Sequence, residues 1–112
     1  MMSGNFIPES ETQWETVGEG VIRQILGYDR QIMTVKVQFE AGAEGYVHKH
    51  PHVQTTYVAS GVFRFTVGEE TRTVKAGDGL YIEPNVEHGV VCVEAGILID
   101  TFSPLREDFL KK

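Results

Sequence analysis

Met33, Val35, Val37 and Phe39 alternate with Thr34, Lys36 and Gln38. Successive side chains of a strand point to opposite faces, so this period of two predicts a strand over 31–39 with one buried side. The alternation returns in 62–67, where Phe63, Phe65 and Val67 share a face, and in 97–102, where Leu98, Asp100 and Phe102 lie opposite Ile97, Ile99 and Thr101. Shorter apolar runs at 21–26, 55–59, 71–74, 80–82 and 88–93 read as further strands. Gly18-Glu19-Gly20, Tyr28-Asp29-Arg30, Ser60-Gly61, Gly68-Glu69-Glu70, Ala76-Gly77-Asp78-Gly79, Glu83-Pro84-Asn85 and Glu94-Ala95-Gly96 punctuate them as turns. Only the tail breaks the pattern: Ser103-Pro104 predicts a helical turn through Phe109, with Ser103 as cap and Pro104 at the first helical position. About nine short strands at close spacing predict an all-β fold, an antiparallel barrel or sandwich. Residues 1–12 are polar and read as an N-terminal arm, and 13–112 as a single domain.

Length and charge narrow the function. A chain of 112 residues suits one domain able to bury a core without disulfides, and a single cysteine, Cys92, allows no intrachain pairing. The net charge is −6 and no Lys/Arg run exists, which argues against nucleic acid as a partner. An anionic small molecule stays open, since one arginine can hold a carboxylate inside an acidic protein. No window approaches the roughly 20 apolar residues of a membrane span. The first residues lack the basic and apolar regions of a secretory signal, so a cytoplasmic protein is expected.

The candidate chemistry concentrates in 42–61. His48, His50 and His52 are three of the four histidines; the fourth, His88, opens a distant strand. On a strand, His48 and His50 would face the same way and could share one metal ion. Gln54 keeps the even spacing and offers an amide oxygen, and His88 would complete the set. Such a set suits Zn, Ni, Fe, Cu or Mn. On spacing alone a divalent metal site and a solvated histidine loop both fit. Pro51 breaks the alternation that would otherwise align His52 with the pair.

Gly42, His48, His50, Gln54 and Gly61 match every spacing of the first cupin motif, with Gln in place of the usual Glu. Gly77 and His88 match the second motif, which Glu83, Asn85 and Cys92 depart from. The chain therefore resembles the cupins, small antiparallel jelly-roll barrels. Within them it is most similar to the pectin-degradation KdgF proteins, through the His/Gln motif, the stretch Asn85-Val86-Glu87-His88-Gly89-Val90 and the tail from Leu98 to Leu110.

This resemblance implies conversion of cyclic 4,5-unsaturated uronates, released by pectin or alginate lyases, to linear 5-keto sugars. It implies a metal on His48, His50, Gln54 and His88, with Asp100, Phe102 and Arg106 in the active site. The reaction moves protons only, and a carboxylate such as Asp100 can carry them. An Asp among apolar neighbours on a strand is costly unless used; a salt bridge to Arg106 or Arg23 is the structural alternative. Arg106 would hold the uronate carboxylate with its planar fork, and Phe102 would wall the pocket. Tyr46 and Arg64, with Thr56 and Gln38, are further candidates for its lining. Cys92 shares parity with His88 and reads as a small core residue. Competing readings are another metal-dependent cupin enzyme, a dioxygenase or a sugar isomerase or epimerase, and a sugar-binding cupin without turnover. Open strand edges, and an arm carrying Phe6, Ile7 and Trp14 that could cross to a neighbour, predict a homodimer.

Overall fold

A computed structural model describes residues 1–111. Among these, the strands are β1 (Glu15–Gly18), β2 (Val21–Tyr28), β3 (Met33–Phe39), β4 (Glu44–His48), β5 (Val53–Val67), β6 (Glu70–Lys75), β7 (Gly79–Ile82) and β8 (His88–Ser103). All pair antiparallel, in the order β1-β2-β3-β8-β5-β6, with β4 added to β8 and β7 to β5. The all-β class is as expected.

The strand count differs from the expected one for a physical reason. The runs 55–59 and 62–67 are two halves of β5, and 88–93 and 97–102 are two halves of β8. These long strands pair along their whole length, from Val53↔Ser103 to Val67↔His88, with register shifts from Val58 to Phe63. Both bend at one point. Gly61 has φ +84°, and its Cα lies against Gly96; a Cβ on Gly96 would fall 2.1 Å from the Ser60 carbonyl oxygen. Glycine removes the side chains that would stop the two backbones meeting there. What reads locally as two turns is therefore one bend in a continuous ladder.

The inward faces form two apolar clusters. The larger holds Val58, Phe63, Phe65, Ile82, Cys92 and Leu98, with Phe39 and Phe63 edge to face at 5.3 Å. The smaller gathers Met33, Val35, Phe102 and Leu105 under the C-terminal segment. Cys92 is buried in the larger cluster, where its thiol donates to the Glu94 carbonyl.

The expected helix cap at the C-terminal end is corrected. Ser103 does not cap a helix: it belongs to β8 and its hydroxyl donates to the Gln31 carbonyl. The Ser103-Pro104 peptide is cis, and the helical turn is a single 3-10 turn, Glu107–Phe109. The N-terminal arm lies on its own chain. Ser3 exchanges hydrogen bonds with Tyr28, the fully buried Gln24 donates to the carbonyls of Glu9 and Thr12, and Lys36 pairs with Glu9. It covers the outer side of β2 and β3, with Phe6 left exposed. Among the described residues no helix is long and apolar enough to cross a membrane.

Candidate metal centre and its pocket

β4 and β8 bring the first two histidines together. His48 ends β4 directly opposite His88, which opens β8, and their rings stand 4.5 Å apart. His50 lies past the end of β4, so strand parity does not place it. The Asn85 amide donates to its carbonyl, and its ring turns inward, 4.9 Å from His88 and 5.6 Å from His48. The chain then reverses through Pro51 and His52, and Gln54 enters from β5. His52 faces away: its Nε2 donates to the Leu105 carbonyl and ties this turn to the C-terminal segment.

The orientation of each ring is set from behind. Nδ1–H donates to a backbone carbonyl in all three: Tyr46 for His48, His52 for His50 and Val86 for His88. That fixes the tautomer and leaves each Nε2 with a lone pair. One ligand nitrogen from each residue falls within 4.8 Å of the others, and the buried His88 Nε2 has no protein partner. Burial drives the His88 pKa down to about 4 and also lowers that of His50, so both rings are neutral donors near neutrality.

Gln54 completes the fit. Its Oε1 lies 3.0 Å from His50 Nε2. With His50 Nδ1 protonated, two lone pairs face one another, an arrangement that a shared cation relieves. The amide cannot easily turn away, because its Nε2 donates to the Thr56 hydroxyl, which in turn donates to Asp100 Oδ1 at 2.7 Å. Thr56 and Asp100 are direct cross-strand partners on β5 and β8. The donor set, three imidazole nitrogens and an amide oxygen, therefore suits a divalent transition metal.

These groups border a cavity of about 240 Å³ between the two apolar clusters, lined by His48, Gln54, His88, Asp100, Phe102 and Arg106 together with apolar side chains of β2, β3 and β8. Asp100 makes no salt bridge to Arg106 or Arg23 among the described residues. Its carboxyl borders the cavity and accepts from the Thr56 hydroxyl. Burial pushes its pKa up to about 6, against the opposing pull of Thr56, Arg106 and Gln54. The side chain of Arg106 is only 11% exposed; its Nε and Nη2 grip Asp108, and its guanidinium lies over the rings of Phe102 and Phe109. Phe102, fully inside, also packs edge-on against His50.

Three expected lining residues are not brought here. Tyr46 is 75% exposed. With Arg64 it borders a different surface cleft, across β4 and β8 from the cavity. Both occupy outward positions of their strands, which proximity to His48 in sequence does not reveal. Gln38 is likewise exposed on the outer side of β3. Conversely, Arg23 and Phe109 line the cavity. Arg23 shares strand parity with Val21 and Ile25, and a charged residue at an inward position was the available signal.

A cupin domain model matches residues 35–101. The chain is 46% identical over 104 residues to the pectin degradation protein KdgF of Dickeya dadantii, covering 91% of this chain and 94% of that one. Among solved structures, an RmlC-like cupin from Shewanella frigidimarina superposes with a TM-score of 0.94 at 47% identity, covering 96% and 97% of the two chains. KdgF from Halomonas sp. superposes with a TM-score of 0.90 at 35% identity, over 96% and 99%.

Proposed function

The chain belongs to the cupin family, among its KdgF members, and on that premise we propose that it opens and ketonises cyclic 4,5-unsaturated uronates, the products of pectin or alginate lyases. The observation that carries the reading is the placement of Asp100: a carboxyl with a near-neutral pKa, held by Thr56, facing the same cavity as Arg106 and the histidine cluster.

The substrate is a cyclic hemiacetal whose ring oxygen sits on the enol carbon C5. Asp100 takes the proton of the anomeric hydroxyl; the C1 carbonyl forms as the bond from C1 to the ring oxygen breaks, leaving an enolate on C5. Asp100 returns the proton to C4, and the enolate becomes the 5-ketone. One proton is moved and nothing is oxidised or reduced. A carboxyl with a pKa near 6 can both accept and release that proton near neutrality. Arg106 orients the substrate through its carboxylate, and Phe102 excludes water beside the reacting carbons. A divalent ion on His48, His50, Gln54 and His88 would supply positive charge to the substrate's oxygens as negative charge develops. Gln54 is neutral where the family motif has Glu, so the ion keeps more of its charge for that purpose.

The test follows the ultraviolet absorbance of the conjugated enol in pectate-lyase and alginate-lyase products, with NMR to identify the 5-keto product. Loss faster than the spontaneous rate is expected; equal rates with and without protein would remove the proposal. The same reading includes a cytoplasmic location and a homodimer; the exposed Tyr57 and Tyr81 on the neighbouring strands β5 and β7 support the dimer alone. A monodisperse monomer at micromolar concentration in sedimentation would contradict the dimer.

A further inference from the structure

The mechanism above leaves one cavity cation unused. Arg23 stands at an inward position of β2 between Val21 and Ile25, opposite Val37 of β3, and its side chain is only 17% exposed. Its guanidinium carbon lies 3.8 Å from the centre of the Phe109 ring, and that of Arg106 lies 4.2 Å from the same ring. One aromatic side chain thus fixes both guanidiniums at the edge of a single cavity.

The two differ in what they have left to offer. Arg106 spends Nε and Nη2 on Asp108. Among the described residues Arg23 makes one hydrogen bond, from Nε to Glu15 at 3.4 Å. Its paired Nη groups, the edge that meets a carboxylate with two parallel bonds, have no protein acceptor there. Arginine retains its charge when buried, and the ion pair with Glu15 engages only Nε, so the carboxylate-matching Nη edge of this inward arginine is left for an anionic ligand.

We propose that Arg23 is a specificity-determining residue that clasps the substrate's free carboxylate together with Arg106, so that the pocket selects free uronates over their methyl esters. This rests on the uronate reading above. Phe109 acts as the positioning residue that spaces the two guanidiniums. The pairing also accounts for the closeness of the 3-10 turn to β2, since the turn carries Phe109 to Arg23.

The test measures turnover of an unsaturated uronate and of its methyl ester by wild type, Arg23→Met and Arg23→Lys, alongside calorimetric binding of saturated galacturonate and its methyl ester. Circular dichroism melts confirm folding. Wild type is expected to favour the acid strongly. Arg23→Met is expected to raise KM for the acid about 10- to 100-fold, the worth of a charge-assisted pair, with kcat within about threefold. It should also lose most of the preference for acid over ester, and Arg23→Lys should retain part of it. Equal losses on acid and ester, or a fall in kcat with KM unchanged, would assign Arg23 a structural role and overturn the proposal. A wild type that binds galacturonate over its ester through Arg23 but shows no turnover would overturn the ketonising function and leave the anion site standing. A wild type with neither would overturn both.

Discussion

Asp100 and His88 titrate in overlapping ranges with opposite effects on stability. Asp100 has a raised pKa of about 6 in the fold against 3.8 unfolded. Between those values the folded state binds more protons at this site, so stability from it is full below pH 4 and lost as pH rises to 6. His88 has a lowered pKa of about 4 against 6.5. There the unfolded state binds more protons, so stability is full above pH 6.5 and falls as pH drops toward 4. In the metal-free protein, Asp100→Asn is therefore expected to be more stable than wild type at pH 7, by up to about 3 kcal/mol, with no gain at pH 4. His88→Asn should shift the profile in the opposite sense, its benefit appearing only in acid. Urea unfolding across pH 4 to 8 checks both; a parallel offset at every pH would show that neither group titrates as its surroundings imply. For activity, Asp100→Asn is expected to reduce kcat about 10²- to 10⁴-fold, the usual share of a general acid–base group. A smaller change places the proton transfer elsewhere. Thr56→Val removes the bridge between Gln54 and Asp100 and is expected to weaken metal affinity about 10- to 100-fold. Unchanged retention in competition with a chelator would show that the amide is oriented without it.

The bent pair β5 and β8 is the element on which the site hangs, since β5 supplies Gln54 and Thr56 and β8 supplies His88, Asp100 and Phe102. Gly96→Ala would drive a methyl into the Ser60 carbonyl and is expected to lower stability by about 3 kcal/mol or more, through strain at a backbone that cannot retreat. Gly42, unlike Gly96, has a positive φ of 85°, and it has open space around it. Gly42→Ala should thus show only the conformational penalty, about 1–2 kcal/mol. Equal effects in denaturant titrations would mean the close approach does not matter. The contrast also shows what could be read from the chain. The strand faces were legible because alternation is local: Met33, Val35 and Phe39 on β3 and Leu98 and Phe102 on β8 are all buried as expected. Continuity through Gly61 and Gly96 was not, because a left-handed glycine looks the same in a loop as in a strand bend, and its partner lies far away in sequence. The site divides likewise. Motif spacing singled out His48, His50, Gln54 and His88, which the fold gathers in one place, but His50 reaches the cluster from beyond β4, held by Asn85. Arg64 and Tyr46 face outward because their neighbours in sequence are not their neighbours in the cavity.

At the scale of the molecule, the ligands of the proposed ion come from three separate elements: the end of β4 and the turn after it, the start of β5, and the start of β8. An ion bound to all three acts only on the folded state, so it stabilises by RT ln(1 + [M]/Kd), about 4 kcal/mol at a thousandfold excess over Kd. For a domain of this size that corresponds to a shift of roughly 15–30 °C in melting temperature. Chelation is thus expected to lower the melting temperature by an amount that added divalent metal restores. In His88→Ala, which loses the one ligand whose Nε2 is buried without a protein partner, chelator and metal should have little effect. Acid should mimic chelation: imidazoles must be neutral to ligate, so protonation competes with the ion as pH falls below the ordinary histidine range. His48 sits at the exposed mouth of the site, whereas His50 and His88 are buried, so the outer ligand is the one open to bulk solvent. His48→Ala is accordingly expected to leave a weakened but measurable metal-dependent shift, and His88→Ala almost none. The comparison, by differential scanning fluorimetry with and without chelator, separates a centre assembled around the buried pair from a loose surface cluster. In a surface cluster, loss of either histidine would cost the same, and that result would sink the assignment.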